Sequence, residues 1–349
     1  MKRRTVLVLG LFLACLGPIL AGQKDTSFKV MTQNMDAGTD LGYALYGLTQ
    51  PDPRLYVDAT LAEVDASNPP SRAVALAGEI AAAMPHLVAL QEVTLWRTGD
   101  TPQTATTVRY DQLELLLVAL REAGVSYEVV AVNTLTDIAL PGTTGAVRFT
   151  DRDALLVRSD LSPSELQISD VHTHIYKAAI TFGDFTVRRG FISALARVNN
   201  KLFRITDTHL ESGYPGVPEA ALIQKAQAAE LMNFVRNSPQ PVILAGDYNA
   251  DAIAGTAGPG PDNTDTVAFI EAGGYEDSWA AVNSPVSGAT WPLFLEDQNP
   301  APPFFVPATP YERIDLIFFK GLTVESSALI GTAAASDHHG VMTTFQVAR

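Results

Sequence analysis

The sequence has 349 residues, of which 47% are hydrophobic and 18% charged, so it can bury a sizeable core and is excluded from the intrinsically disordered class. Its formal net charge of −14 disfavours loose attraction to a long polyanion unless a bound divalent cation reverses the field locally. The single cysteine, Cys15, excludes a disulfide scaffold and a thiolate metal centre.

Read from the N-terminus, Lys2, Arg3 and Arg4 precede an apolar run from Thr5 to Leu20, and Ala21 then offers a small residue before Gln23 and Lys24. That order is the order of a secretory signal peptide, and the run is shorter than the roughly 20 residues a membrane span requires. The expectation is a signal peptide over residues 1–21, export to the cell envelope or the medium, and one domain over 22–349. A lipid anchor at Cys15 is the competing reading, although Phe12, Leu13 and Ala14 before it make a poor attachment context.

Period-two and β-branched patterns predict strands at Phe28–Asn34, Leu87–Val93, Tyr127–Asn133, Ala154–Arg158, Val242–Asn249, Ile314–Phe319 and Val341–Val347. Gly190–Val198 and Leu202–His209 flank the polar turn Asn199, Asn200, Lys201 and read as a hairpin. Helical spacing appears at Ser71–Met84, Tyr110–Ala123 and Pro218–Val235, where Pro218 suits a first turn. Gly38–Pro70, Ala252–Asp265 and Trp291–Pro310 are rich in Gly, Pro, Asp or Thr and read as loops.

Chemistry-bearing residues gather at the ends of the apolar strands. Asn34 and Asp36 follow the first strand and Glu92 the second; Asp207 and His209, Asp247 and Asn249 end two more. Arg313 and Asp315 open the strand after them, and Asp337, His338 and His339 precede the last. Any one of these reads as an ordinary turn, but six strand ends converging on one side would build a pocket. Carboxylates and amides are hard oxygen ligands that suit Mg2+ or Mn2+. Zinc fits less well, because the six histidines show no HExxH spacing. His172 and His174 alternate along an expected strand and read as surface residues. No GxSxG, Walker or dinucleotide motif is present, which leaves water activated beside a metal as the nucleophile.

The ordered set TQNMD (Thr32–Asp36), LQE (Leu90–Glu92), THL (Thr208–Leu210), GDYNA (Gly246–Ala250), RID (Arg313–Asp315) and SDHH (Ser336–His339) resembles the endonuclease/exonuclease/phosphatase superfamily. The resemblance implies an α/β fold, a four-layered α/β sandwich of two packed mixed β-sheets flanked by helices. It implies a metal-dependent phosphoester hydrolase, most simply a secreted phosphodiesterase or nuclease, and a monomer without a stable protein partner. Asn34, Asp36, Glu92 and Asp337 would hold or adjoin Mg2+ or Mn2+. His209, Asp247, Asn249, Asp315 and His338 would be catalytic, with Asp315 orienting His338. Whether Asp247 or His338 takes the proton from water stays open. Asp153 stands where the family's GNAILSR-like strand carries an amide, and His339 stands where many relatives have an aromatic residue. The substrate could be nucleic acid, a phospholipid head group or a small phosphate ester; a binding module without chemistry is the alternative of another class.

Overall fold

The computed structural model describes residues 27–346 except 184, 214–216, 240, 254–264 and 297–304. The expected signal peptide and Cys15 lie outside the described residues, as does most of the predicted loop Ala252–Asp265. The chain runs β1 (Ser27–Asn34), α1 (Gly42–Gly47), α2 (Arg54–Ser67), α3 (Pro69–Ala83) and β2 (Leu87–Gln91). Then come β3 (Leu95–Gly99), β4 (Thr107–Asp111), α4 (Gln112–Glu122) and the long pair β5 (Tyr127–Pro141) and β6 (Ala146–Arg158). β7 (Leu166–Ile175), the small hairpin β8 (Ile180–Phe182) and β9 (Phe185–Val187), β10 (Gly190–Val198), β11 (Lys201–His209) and α5 (Glu219–Val235) follow. The last part holds β12 (Val242–Asp247), α6 (Thr266–Ala272), β13 (Glu276–Asp277), α7 (Ser278–Asn283) and β14 (Phe294–Glu296). It ends with β15 (Phe305–Pro307), β16 (Asp315–Lys320), β17 (Thr323–Ile330) and β18 (Gly340–Gln346).

Two mixed sheets form the frame. One has the order β17-β18-β1-β2-β6-β3-β4 with β5 also paired to β6; the other has the order β13-β16-β12-β11-β10-β7. The layer between them is apolar: Phe28, Val30, Leu87, Ala89 and Phe345 of the first sheet pack on Ile205, Ile243, Ala245, Ile317 and Phe319 of the second. Phe28 stacks on Phe203 across the layer at 4.3 Å between ring centroids and on Phe345 at 5.4 Å. Truncating such a residue to Ala costs about 3–5 kcal/mol.

Helices cover both outer faces. Leu76 and Ile80 of α3 and Leu113 and Leu116 of α4 pack on Val88, Leu90 and Leu156. Ala228 and Leu231 of α5 and Ile270 of α6 pack on Leu244, Leu316 and Phe318. The molecule is the expected four-layered α/β sandwich, and both sheets share one interior layer.

Several predicted bounds differ from those observed. Gly38–Pro70, expected to be a loop, contains α1 and α2. Val57 and Val64 of α2 are buried with Leu61 packed beside them, a helical stripe that flanking Gly, Pro and Asp residues obscure. β6 starts at Ala146 rather than Ala154, because its first half pairs with β3 and the extended β5. Pro218 caps α5 from outside rather than opening its first turn. The Asn199–Asn200 turn is a tight hairpin, with both residues at positive φ (46° and 67°) and Val198 paired to Lys201.

Candidate active site

Side chains alternate across a strand, so period two assigns each residue to a sheet face. The faces that meet between the sheets change character along their length. In β11 the inward series is Phe203, Ile205, Asp207, His209; in β12 it is Ile243, Ala245, Asp247; in β16, read backwards, it is Phe319, Ile317, Asp315. Register places these polar ends in one row, since His209 pairs with Asp247 in parallel strands and Asp247 with Asp315 in antiparallel strands. The first sheet behaves alike, with Phe28, Val30, Thr32, Asn34 in β1 and Leu155, Asp153, Asp151 in β6. The apolar layer therefore opens at one end into an acidic cleft between the sheets.

Backbone conformation turns further groups into that cleft. Asp36, Glu92 and Asn249, each just beyond a strand, have positive φ values of 59°, 54° and 47°, a costly state for such residues and one that clusters at functional sites. Gly246 also has positive φ, and a Cβ there would meet the Thr208 carbonyl oxygen at 2.0 Å. Glycine thus lets β12 approach β11 where His209 and Asp247 must sit together.

Asn34 ties the two sheets, its Nδ2 donating to Asp247 Oδ2 at 2.9 Å and to Glu92 Oε1 at 3.1 Å. The other Glu92 oxygen accepts from the Ala37 N–H at 2.7 Å. Asp247 Oδ1 accepts from the Asn249 N–H at 2.9 Å, and Asp247 Oδ2 lies 3.5 Å from His209 Nε2. Asn249 Nδ2 lies 3.1 Å from the same ring nitrogen and donates to the Leu210 carbonyl at 3.0 Å. His338 Nδ1 lies 2.8 Å from Asp315 Oδ2, with Nε2 3.9 Å from Asp337 Oδ1. A carboxylate on one ring nitrogen fixes the tautomer and directs the other nitrogen outward.

Electrostatics separates the two histidines. Arg189 Nη1 lies 2.9 Å from His209 Nδ1; guanidinium has no lone pair, so Nδ1 accepts and a neutral ring carries its proton on Nε2. Burial, then the Arg189 and His338 charges, push the His209 imidazole well below its ordinary value. His338 goes the other way. Burial is its largest single influence and acts downward, but Asp315, Asp337 and Asp247 outweigh it and hold the ring cationic well above 6.5. Burial, then the Asp315 charge, push the Asp247 carboxyl up to about 7. Burial likewise raises Asp337 to about 6 and Asp151 to about 7.

A divalent cation fits this donor set. Ligand atoms of Asp247, Asp315 and His338 lie within 4.8 Å of one another. Asp315 Oδ1 is buried without a hydrogen-bond partner, and unsatisfied carboxylates crowded together are what a hard cation stabilises. These three residues are ones the sequence pattern assigns to catalysis rather than to the metal.

Of the four expected ligands, Glu92 faces the cleft, whereas Asn34 turns its nitrogen toward Glu92 and Asp247, its oxygen accepting from the Asp36 N–H. Asp36 Oδ2 is held by buried Arg72 at 2.6 Å, an ion pair that braces the turn after β1. Asp337 Oδ2 accepts from Trp291 Nε1 at 3.0 Å. His339 faces the Gly331 carbonyl, and His172 and His174 pair with Asp170 and Glu230 near the surface.

Sequence reasoning passed over Arg189 and Asp151, whose side chains are 3.3 Å apart. Arg189 immediately precedes β10, and Gly190 pairs with His209, so the strand-end rule applied to the hairpin's first strand finds it. Asp151 lies in the half of β6 that the predicted strand left out.

The profile of the Endonuclease/Exonuclease/phosphatase family matches residues 31–338. Comparison with curated protein sequences gives no match. Among solved structures, an endonuclease/exonuclease/phosphatase from Beutenbergia cavernae is 20% identical, with 92% of this chain and 72% of that one covered and a TM-score of 0.57. A mannosyl-6-phosphatase from Bacteroides thetaiotaomicron is 15% identical, with 91% and 99% covered and a TM-score of 0.54. D. rerio TDP2 complexed with a single-strand DNA product is 16% identical, with 92% and 100% covered and a TM-score of 0.51. At these identities the likeness is one of fold.

Proposed function

Because this chain belongs to the endonuclease/exonuclease/phosphatase family, we propose that it is an exported, monomeric, divalent-metal-dependent phosphodiesterase that cleaves its substrate with water. The observation that carries the reading is the meeting of Glu92, His209, Asp247, Asn249 and the Asp315–His338 pair in one cleft at the open end of the sandwich. The residues that would hold the metal are Glu92 at the end of the first sheet and Asp247 and Asp315 at the end of the second. When bound, Mg2+ or Mn2+ supplies neutralisation of charge growing on the phosphate and a lowered pKa for water.

This chain's own residues account for the rest. Asp247, fixed by the Asn249 N–H and Asn34 Nδ2, presents a carboxylate oxygen to accept the proton of the attacking water. His338, oriented by Asp315, points Nε2–H at the phosphate and stabilises the charge that develops there. His209, fixed by Arg189, offers a second N–H from the opposite sheet. General acid-base help is worth about 10²–10⁴ in rate, and preorganised charge stabilisation often contributes more.

The test is a substrate panel for the purified protein: bis-p-nitrophenyl phosphate, DNA and choline phospholipids, each with MgCl2, with MnCl2 and with EDTA. Cleavage of at least one member, lost in EDTA, is expected. Metal binding by calorimetry without cleavage of any member would make the protein a binding module on this fold.

A further inference from the structure

Beside the acidic cleft lies a cavity of about 200 Å3, and Glu92, Asp151 and Arg189 are among the residues that line it. Those three belong to the candidate site, so the cavity is continuous with it. Asp40 and a few hydroxyl side chains also line it, but most of the remaining wall is hydrocarbon, with Leu45, Trp96, Leu140, Phe149, Phe182 and Phe185. These residues come from α1, β3, β5, β6 and the β8–β9 hairpin. Around them Val57, Val64, Trp96 and Val147 form an apolar cluster separate from the layers that hold the sandwich together.

Protein interiors close apolar voids, because an unfilled one forfeits packing contacts. A void of about 150 Å3 lined by aliphatic and aromatic groups already admits benzene. This cavity is larger, opens onto charged groups at the site, and is walled in part by α1 and α2. A pocket with an apolar body and a few convergent polar groups is the usual form of a small-molecule site.

We propose that this cavity receives an uncharged hydrocarbon substituent of the substrate, so that the protein acts on amphiphilic phosphoesters with the phosphate held beside Glu92 and Arg189 and the alkyl or aryl group seated among Leu45, Trp96 and Phe149. The proposal rests on the phosphoester reading above and narrows its substrate class. The charged side chains of the wall suit the phosphate end, while burial of hydrocarbon from an ester, not base pairing or a sugar's hydroxyls, is what Leu140, Phe182 and Phe185 reward.

Calorimetric titration of the full protein in MgCl2 with methyl, octyl and phenyl phosphate tests it. Octyl or phenyl phosphate should bind at least about tenfold more tightly than methyl phosphate, since two buried methylenes already give about that factor. Ala44→Phe, which fills the cavity from α1, should erase most of the preference. Leu48→Asp, at a rim position that is 49% exposed, should reduce it even if the first variant fails to fold. Equal affinities for all three esters, or a preference that survives in a folded variant, overturn the proposal. Turnover of methyl p-nitrophenyl phosphate, measured in parallel, reads the hydrolase assignment separately. Turnover without a hydrocarbon preference sinks the cavity proposal alone, and a hydrocarbon preference without turnover of any ester sinks the hydrolase reading alone.

Discussion

Glu92 follows β2 and His338 precedes β18 of the same sheet, yet their substitutions should fail differently. Glu92→Gln keeps the side chain's size but removes the charge that faces the cation, so metal affinity and turnover fall together. His338→Ala leaves every carboxylate in place, so turnover drops by about 10² or more while metal binding is largely retained. Magnesium titration of turnover and of binding for both variants checks the pair; near-normal turnover in His338→Ala would remove that ring from the mechanism. Asp153 invites the opposite experiment. Both its carboxylate oxygens, and Oδ2 of its neighbour Asp207, are buried without a hydrogen-bond partner. Burial, then the Asp207 charge, raise Asp153 well above the usual range. Asp153→Asn supplies a donor where two acids now crowd each other, and Tm should rise, by more at pH 8 than at pH 5. A Tm that falls at both pH values would mean that the acid pair is needed for folding. Glu92, His209, Asp247 and Asp315 were legible in sequence because each ends an apolar strand. Arg72, which occupies Asp36, was not, since an Arg in a helix gives no sign of which distant strand end it will meet.

At the scale of elements, the β-hairpin and α3, α4 and α5 follow directly from period and turn chemistry, whereas α2 was hidden by its flanks. That helix carries Glu63, whose Oε2 accepts from the Thr39 hydroxyl and whose Oε1 is buried without a partner. Burial is the main cause that raises its carboxyl from 4.5 to about 7, with Asp40 and Asp36 adding to it. Folding therefore takes up a proton between those two values, so Glu63 lowers stability progressively as pH rises through that window and by a constant amount above it. Glu63→Gln removes the penalty. The variant should melt higher than the parent at pH 8, with the difference shrinking toward pH 5. A difference that grows on acidification would show that Glu63 is ionised and favourably paired in the folded state.

For the molecule as a whole, the shared layer of Phe28, Phe203, Phe319 and Phe345 couples the two sheets mechanically, and the acidic cleft at its end opposes that coupling. Asn34 reaches from the first sheet to Asp247 of the second, directly across a seam where Glu92, Asp247, Asp315 and Asp337 crowd together. A cation held between the sheets would bind the folded state and not the unfolded chain, so it should act as a clamp on both. At a hundred times its dissociation constant such a ligand adds about 2.7 kcal/mol, which for a domain of this size is roughly 3–8 °C in Tm. Unfolding should remain one transition in MgCl2 and in EDTA, with the midpoint higher in MgCl2, and Glu92→Gln should shrink the difference. Calorimetric scans decide it. Two resolved transitions would mean that the sheets unfold independently despite their common core, and an unchanged midpoint at saturating magnesium would place the cation, if it binds, away from the seam.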